Sequence, residues 1–359
     1  MEWSSKCVWT AAAAAGGGLV LARWLADAGA PSWGSETRAE LTAQWLRKWL
    51  RLTPTFEQLM QDFEVEHVGA DGTIRGSVSV AGPLLSADGT LHVGGLMVLI
   101  DTISSVSVTA CGGFSGVSID LGATVLAPIE AGARVVIETR VLRLGRTTAF
   151  LAAELRRIGG AGELLAVGTH TKHVGQPFAA RVVHGMALRC PPLARWFQRR
   201  GLAQLAAAKV QRFSGSTMEA ALDMKPMEGH PGVPPNAKGF WSIVGLHLLN
   251  GYWMCHGAAS AALLAEAVRQ YLAGQGYPKA SIGGLSLSYL SPVPAFRPAG
   301  AIVTPLGAIS APADARGGAA PMHFMAELRG EGGQLFVRGR LTASAAPAMP
   351  PRPFAAAAA

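Results

Sequence analysis

One order of segments occurs twice in this chain, and that repetition limits the folds open to it more than any other feature. In the first half, strand-like segments lie at 73–81, 117–127, 133–144, 147–157 and 163–173, with an apolar stretch of helical length, 94–111, between the first two. Glycine-containing turns at 128–132, 145 and 159–162 separate the later strands. The second half repeats the order, with a strand-like run at 240–249, a helix-like Ala/Leu stretch at 257–273, and strand-like runs at 282–290, 300–309, 322–329 and 333–343. Strands joined by short turns are antiparallel neighbours, and one helix laid on such a sheet is an α+β layer. A unit recurring in the same order predicts two similar domains in tandem.

The 359 residues suffice for two middling domains with their connections. Half are apolar and 15% are charged, so a large core can be buried and global disorder is excluded. A formal net charge of +8 allows nucleic acid, an anionic membrane surface or a phosphorylated ligand as partner. No Lys/Arg run exceeds a pair and no aromatic-basic interleaving accompanies them, which argues against nucleic acid. Cys7, Cys111, Cys190 and Cys255 lie far apart with no CxxC spacing. Neither a disulfide framework nor a metal site is expected, and a reducing compartment fits.

Outside the repeats, residues 7–22 carry no charge and are bracketed by Lys6 and Arg23. The segment 1–35 reads as an organelle-targeting sequence, a short membrane anchor or a helix packed on protein. Its acid-poor, Ala-rich composition favours a mitochondrial destination, with the cytoplasm as second choice. Residues 36–66 form a helical lead-in, in which Leu41, Trp45, Trp49 and Leu52 recur at helical spacing. That helix either covers the following domain or lies at a membrane surface through its Trp and basic residues. The first domain is expected over 67–176, a connector with a basic helix over 177–239, the second domain over 240–346 and an Ala/Pro-rich tail over 347–359.

The run Gly89-Thr90-Leu91-His92-Val93-Gly94-Gly95-Leu96, followed by Ile100-Asp101-Thr102-Ile103-Ser104, resembles the signature of hotdog-fold acyl-coenzyme A thioesterases. The resemblance continues through Gly116-Val117-Ser118-Ile119-Asp120 and ends at Gly168-Thr169-His170-Thr171-Lys172-His173. Two positions depart from the family: Val93 stands where it has the first Gly of His-Gly-Gly, and Ser86 where it has Asn. The second half resembles it more faintly, through Asn250, His256, Gly257 and the strand Leu-Ser-Leu-Ser-Tyr-Leu-Ser-Pro that begins at Leu285. There Ala265 stands where the first half has Asp101, and Ile282 where it has Ser118.

The resemblance implies an antiparallel sheet wrapped on a central helix, working as a dimer with each site shared across the interface. In a tandem chain the two halves would form that dimer internally. One composite site then combines Asp101 and Ser118 with Asn250, His256 and Gly257 and is complete. The other combines Ser86, His92, Val93, Ala265 and Ile282 and has lost nearly every part. Losses sorted in this way suggest one site kept and its twin abandoned.

Asp101 lies in an apolar helix, where burial should raise its pKa toward that of a general base. The Gly257 N–H would polarise the thioester carbonyl, Asn250 would orient the thioester or the water, Ser118 would hold the attacking water, and His256 would shape the loop or act as a base. Arg143, Arg146, His170 and Lys172 are candidates for the coenzyme A phosphates. No cofactor is expected beyond the coenzyme A of the substrate. The expected function is fatty acyl-coenzyme A hydrolysis. Its rivals are a non-catalytic accessory subunit of a mitochondrial membrane complex, attached through residues 1–52, and an acyl-coenzyme A binding protein. A dimer of pseudo-dimers is the expected higher assembly.

Overall fold

The computed structural model describes residues 55–113, 115–159, 162–175, 217–227, 233–250, 254–307 and 321–344, with helical positions between 39 and 50. The segment 1–35, the basic helix of the connector and the tail from 347 lie outside the described residues.

The first unit consists of strands β1 (Glu64–Val68), β2 (Ile74–Ser79), β3 (Val117–Val125), β4 (Arg134–Leu144), β5 (Thr148–Arg157) and β6 (Leu164–His173), with helix α1 (Val93–Ala110) between β2 and β3. The second consists of β7 (Lys225–Pro226), β8 (Lys238–Ile243), β9 (Ser281–Tyr289), β10 (Pro298–Pro305), β11 (Met322–Gly330) and β12 (Leu335–Ser344), with α2 (Gly257–Gly274) between β8 and β9. All twelve strands join in one sheet, in the order β1-β2-β4-β5-β6-β3-β9-β12-β11-β10-β8-β7. Read outward from the centre, each half has the same order, which is the pseudo-twofold expected of a tandem double hotdog.

The seam is the antiparallel pair β3 and β9, in which Leu121 faces Leu287 and Ala123 faces Leu285. All four are buried, so the seam carries core and not only backbone hydrogen bonds. Helix α1 is buried over nearly its whole circumference, as its unbroken apolar run requires. It is also apolar and long enough to cross a membrane, but 94% of it is inside the protein, the mark of a core helix. The sheet makes room for it: a Cβ on Gly168 of β6 would stand 2.5 Å from Ile100 Cδ1. The two helices touch where Gly94 meets Ala262, with 2.4 Å between a notional Gly94 Cβ and Ala262 Cβ.

In the lead-in helix, Ala39, Thr42, Ala43, Leu46, Trp49 and Leu50 are buried while Glu40 and Arg47 are exposed. Leu46, Trp49 and Leu50 belong to the core shared by both units, so this face is spent on protein. Leu41, Trp45 and Leu52 lie outside the described residues. Two strands differ from the sequence reading. Residues 64–68, of which 64–66 fall in the expected helical lead-in and 67–68 in the first domain, form edge strand β1; only Val65 of this charged segment is buried, so it shows no apolar alternation. The run 240–249 ends as a strand at Ile243, because Val244 N–H turns to Arg297 O and a 3-10 turn takes Leu246–Leu248.

Candidate active site

Both long helices begin with the same local device. His92 precedes α1 and its Nδ1 accepts the Gly94 N–H at 2.9 Å; His256 precedes α2 and its Nδ1 accepts the Ala258 N–H at 3.1 Å. An imidazole thus fills the N-cap role usually taken by a short oxygen side chain. At α2 a second acceptor arrives from the other unit. Asp101 Oδ2, from the middle of α1, lies 3.1 Å from Ala258 N and 3.2 Å from His256 Nδ1. The helix N-terminus favours that negative charge.

The other carboxylate oxygen, Oδ1, lies 3.4 Å from Ser118 Oγ, and 3.7 Å from both His170 Nε2 and Lys172 Nζ. A Cβ built on Gly257 would fall 2.7 Å from Asp101 Oδ2 and 3.2 Å from Ser118 Oγ, so the bare backbone lets the two units close. Asp101, Ser118, Lys172, Asn250, His256 and Gly257 all line one cavity of about 340 Å³. Asn250 Oδ1 accepts the Met254 N–H at 3.3 Å and braces the loop before α2. As the first residue of α2, Gly257 offers an N–H with no helical partner.

Electrostatics depart from the expectation for Asp101. Burial alone pushes its carboxyl up, but His256 and Lys172, together with the Ala258 N–H, outweigh burial and hold it well below the usual carboxylate range. It is ionised, not poised near neutrality. Burial holds His256 down, yet Asp101 and then Glu57 outweigh that, and the ring keeps its proton more firmly than a free histidine. His170 is driven down to about 3 by burial and by Lys172, so it is neutral. Its tautomer follows from its neighbours. Ser104 Oγ spends its proton on Ile100 O at 2.5 Å, so His170 Nδ1 must donate to Ser104 Oγ at 2.7 Å. His170 Nε2 then accepts from Ser118 Oγ at 2.9 Å, which leaves the lone pairs of Ser118 for a water.

His170 and Lys172 therefore face Asp101 inside the protein instead of meeting phosphates on a solvated edge. Arg143 and Arg146 are exposed around the β4–β5 turn and do not line the cavity. Glu57, Tyr289 and Ser104 were not singled out from the sequence. Tyr289 Oη donates to Gly257 O at 2.8 Å, and Glu57 Oε1 lies 3.4 Å from His256 Nε2. Tyr289 sits in the strand motif that resembles the family, so a signal existed. Glu57 is one acid in a charged lead-in and carried none.

The second set is also brought together. Ser86, His92, Val93, Ala265 and Ile282 line a second cavity of about 400 Å³. No carboxylate stands at Ala265, and the fully buried Glu266 beside it is gripped by Arg269 at 2.7 and 2.9 Å. Ligand atoms of His92, Glu219 and Glu266 lie within 4.8 Å of one another. They do not suit a metal: His92 Nδ1 accepts a backbone N–H, so Nε2 carries the ring proton, and Arg269 takes both oxygens of Glu266.

The model of the thioesterase superfamily matches residues 88–163. Acyl-coenzyme A thioesterase 13 of Homo sapiens is 40% identical over 91 residues, which are 25% of this chain and 64% of that protein. The Mus musculus protein of the same name is 39% identical over 88 residues, 24% of this chain and 62% of that one. The chain thus spans less than two thirds of the length of these curated relatives. The tesB protein of Mycobacterium avium subs paratuberculosis superposes with a TM-score of 0.50 at 14% identity, covering 82% of this chain and 100% of that one, a likeness of fold alone. Residues 88–163 therefore match the thioesterase superfamily, and they are set in a tandem of two hotdog units that close on each other as an intramolecular pseudo-dimer.

Proposed function

We propose that this protein hydrolyses fatty acyl-coenzyme A thioesters at the single complete site between its two units. The observation that carries the reading is the Asp101 carboxylate held 3.1 Å from the first turn of α2, beside a glycine and a serine, in a mainly apolar cavity. The thioester carbonyl would point at the Gly257 N–H, which has no partner within its own helix and is a donor of the kind worth about 3 kcal/mol in the transition state. A water hydrogen-bonded to both Ser118 Oγ and Asp101 Oδ1 from the cavity side would attack the carbonyl carbon, and the thiolate would leave. Val106, Val117 and Val293 in the wall suit an acyl chain. Coenzyme A enters only as part of the substrate.

Thiol release from a series of acyl-coenzyme A lengths tests this. Wild-type protein should release thiol well above background. Asp101→Asn should lose roughly 10²-fold or more of that rate while still folding by far-UV circular dichroism, with a lower melting temperature because buried Lys172 loses its carboxylate. Full activity in the variant would reject the site. The uncharged stretch 7–22 supports delivery to the mitochondrion, which fractionation of cells expressing the full chain would check.

A further inference from the structure

The lead-in segments of the two units cross over reciprocally. Phe56 N–H, before the first unit, bonds Leu249 O of the second at 3.1 Å; Met218 N–H, before the second unit, bonds Leu85 O of the first at 2.8 Å. Each begins with the same pattern, Thr55-Phe56-Glu57 and Thr217-Met218-Glu219. Each thereby carries a glutamate toward the N-cap histidine of the opposite unit. At the complete site Glu57 reaches it, with Oε1 at 3.4 Å from His256 Nε2. Thr55 Oγ1 donates to the other oxygen of Glu57, and the Phe56 ring packs on the imidazole with centroids 5.7 Å apart. At the twin, Glu219 is drawn aside by Ser86 Oγ at 2.7 Å and Ala87 N at 2.9 Å.

From this geometry we infer that Glu57 is a positioning residue of the composite site: it holds His256 with its proton on Nε2, so that Nδ1 can receive the proton that Asp101 takes from the attacking water. The inference rests on the hydrolytic reading above. The local hydrogen bonds allow both states of the ring. Neutral, Nδ1 accepts the Ala258 N–H; charged, Nδ1–H turns to Asp101 Oδ2 at 3.2 Å, and Asp101 alone keeps the Ala258 N–H. No buried group is orphaned in either state. The relay also explains how a strongly acidic carboxylate can work as a base, since the proton rests on the imidazole between two carboxylates. The water oxygen bonds to the carbonyl carbon while its proton passes through Asp101 to His256. The C–S bond breaks with its electron pair going to sulfur, and His256 returns the proton to that thiolate.

The full-length protein and its Glu57→Gln, Glu57→Asp and Glu219→Gln variants test this through pH profiles of thiol release. Activity requires neutral His256, so it falls on the acid side. Removing the charge of Glu57 destabilises the imidazolium, so in Glu57→Gln that limb moves to lower pH by about one unit and kcat falls roughly 10-fold. Glu57→Asp restores part of both, and Glu219→Gln matches wild type. A Glu57→Gln profile that overlays wild type, or an equal shift in Glu219→Gln, overturns the inference. Imidazole ¹⁵N titration of His256 reads the same property without turnover. An Nε2–H ring whose pKa drops in Glu57→Gln supports Glu57 even where no thiol is released, whereas an unchanged titration overturns it. If Glu57→Gln does not fold, Thr55→Val weakens the same carboxylate, and a smaller shift in the same direction is expected; no shift counts against the inference.

Discussion

At the scale of single residues, Gly257 shows how little room the site leaves. Its absent Cβ would stand 2.7 Å from Asp101 Oδ2 and 3.3 Å from Tyr289 Oη, both fixed by other bonds. Gly257→Ala should lower kcat/KM roughly 10²-fold and cost about 1–3 kcal/mol of stability, read by thiol release and urea unfolding; near wild-type turnover would remove Gly257 from the site. The buried histidines set the response to acid. His170 is pushed down to about 3 by burial and Lys172, and His92 is pushed down chiefly by burial, so both are neutral when folded. The unfolded chain takes up their protons below about pH 6.5. Their stabilisation is therefore complete above that pH and is lost as the pH falls, for His170 toward 3. His256 has the opposite sign, favouring the fold at low pH and losing that contribution as the pH rises through its raised value. Melting temperature should fall from pH 6.5 to 4, and His170→Asn should flatten the fall by up to about 1.4 kcal/mol per pH unit. Parallel slopes in the two proteins would contradict this assignment. Asp101, Ser118 and Gly257 were legible in the sequence because each is a motif position. The low pKa of Asp101 was not, because it depends on Lys172 and His256 arriving from other elements.

At the scale of elements, the two helices are held by one close crossing and two histidine caps. A Cβ on Gly94 would meet Ala262 Cβ at 2.4 Å and His92 Nδ1 at 2.9 Å, and neither a packed helix nor a capping ring can retreat far. Gly94→Ala should destabilise by about 1–3 kcal/mol in equilibrium unfolding, while Gly332→Ala, with open space around it, should be near neutral. Equal effects would show that the crossing is looser than this geometry requires. Helix periodicity and turn glycines made α1, α2 and most strands readable. β1 was not readable, because a charged edge strand takes its structure from β2 and from ion pairs such as Arg75 with Glu66 at 3.0 Å.

At the scale of the whole molecule, one sheet and one core span both repeats, so a pseudo-twofold builds two pockets of which one is equipped. Restoring the carboxylate alone should not revive the twin. Ala265→Asp would place a second acid beside Glu266, with Val93 where the complete site has Gly257 and Ile282 where it has Ser118. Turnover per chain should stay at the wild-type value in the thiol-release assay, and a doubling would show that the twin needs only its carboxylate.

The sequence alone determined the doubled strand–helix–strand order, the glycine turns and the chemistry-bearing positions, because periodicity and motif spacing are local properties of the chain. It also implied which half supplies each part, since the losses are sorted between the halves. Only the tertiary structure decided that the lead-ins cross, that Glu57 meets His256, and that Lys172 turns inward to keep Asp101 ionised. These are contacts between residues tens to hundreds of positions apart, and charge strength in a buried site is set by what surrounds a group, not by its neighbours along the chain.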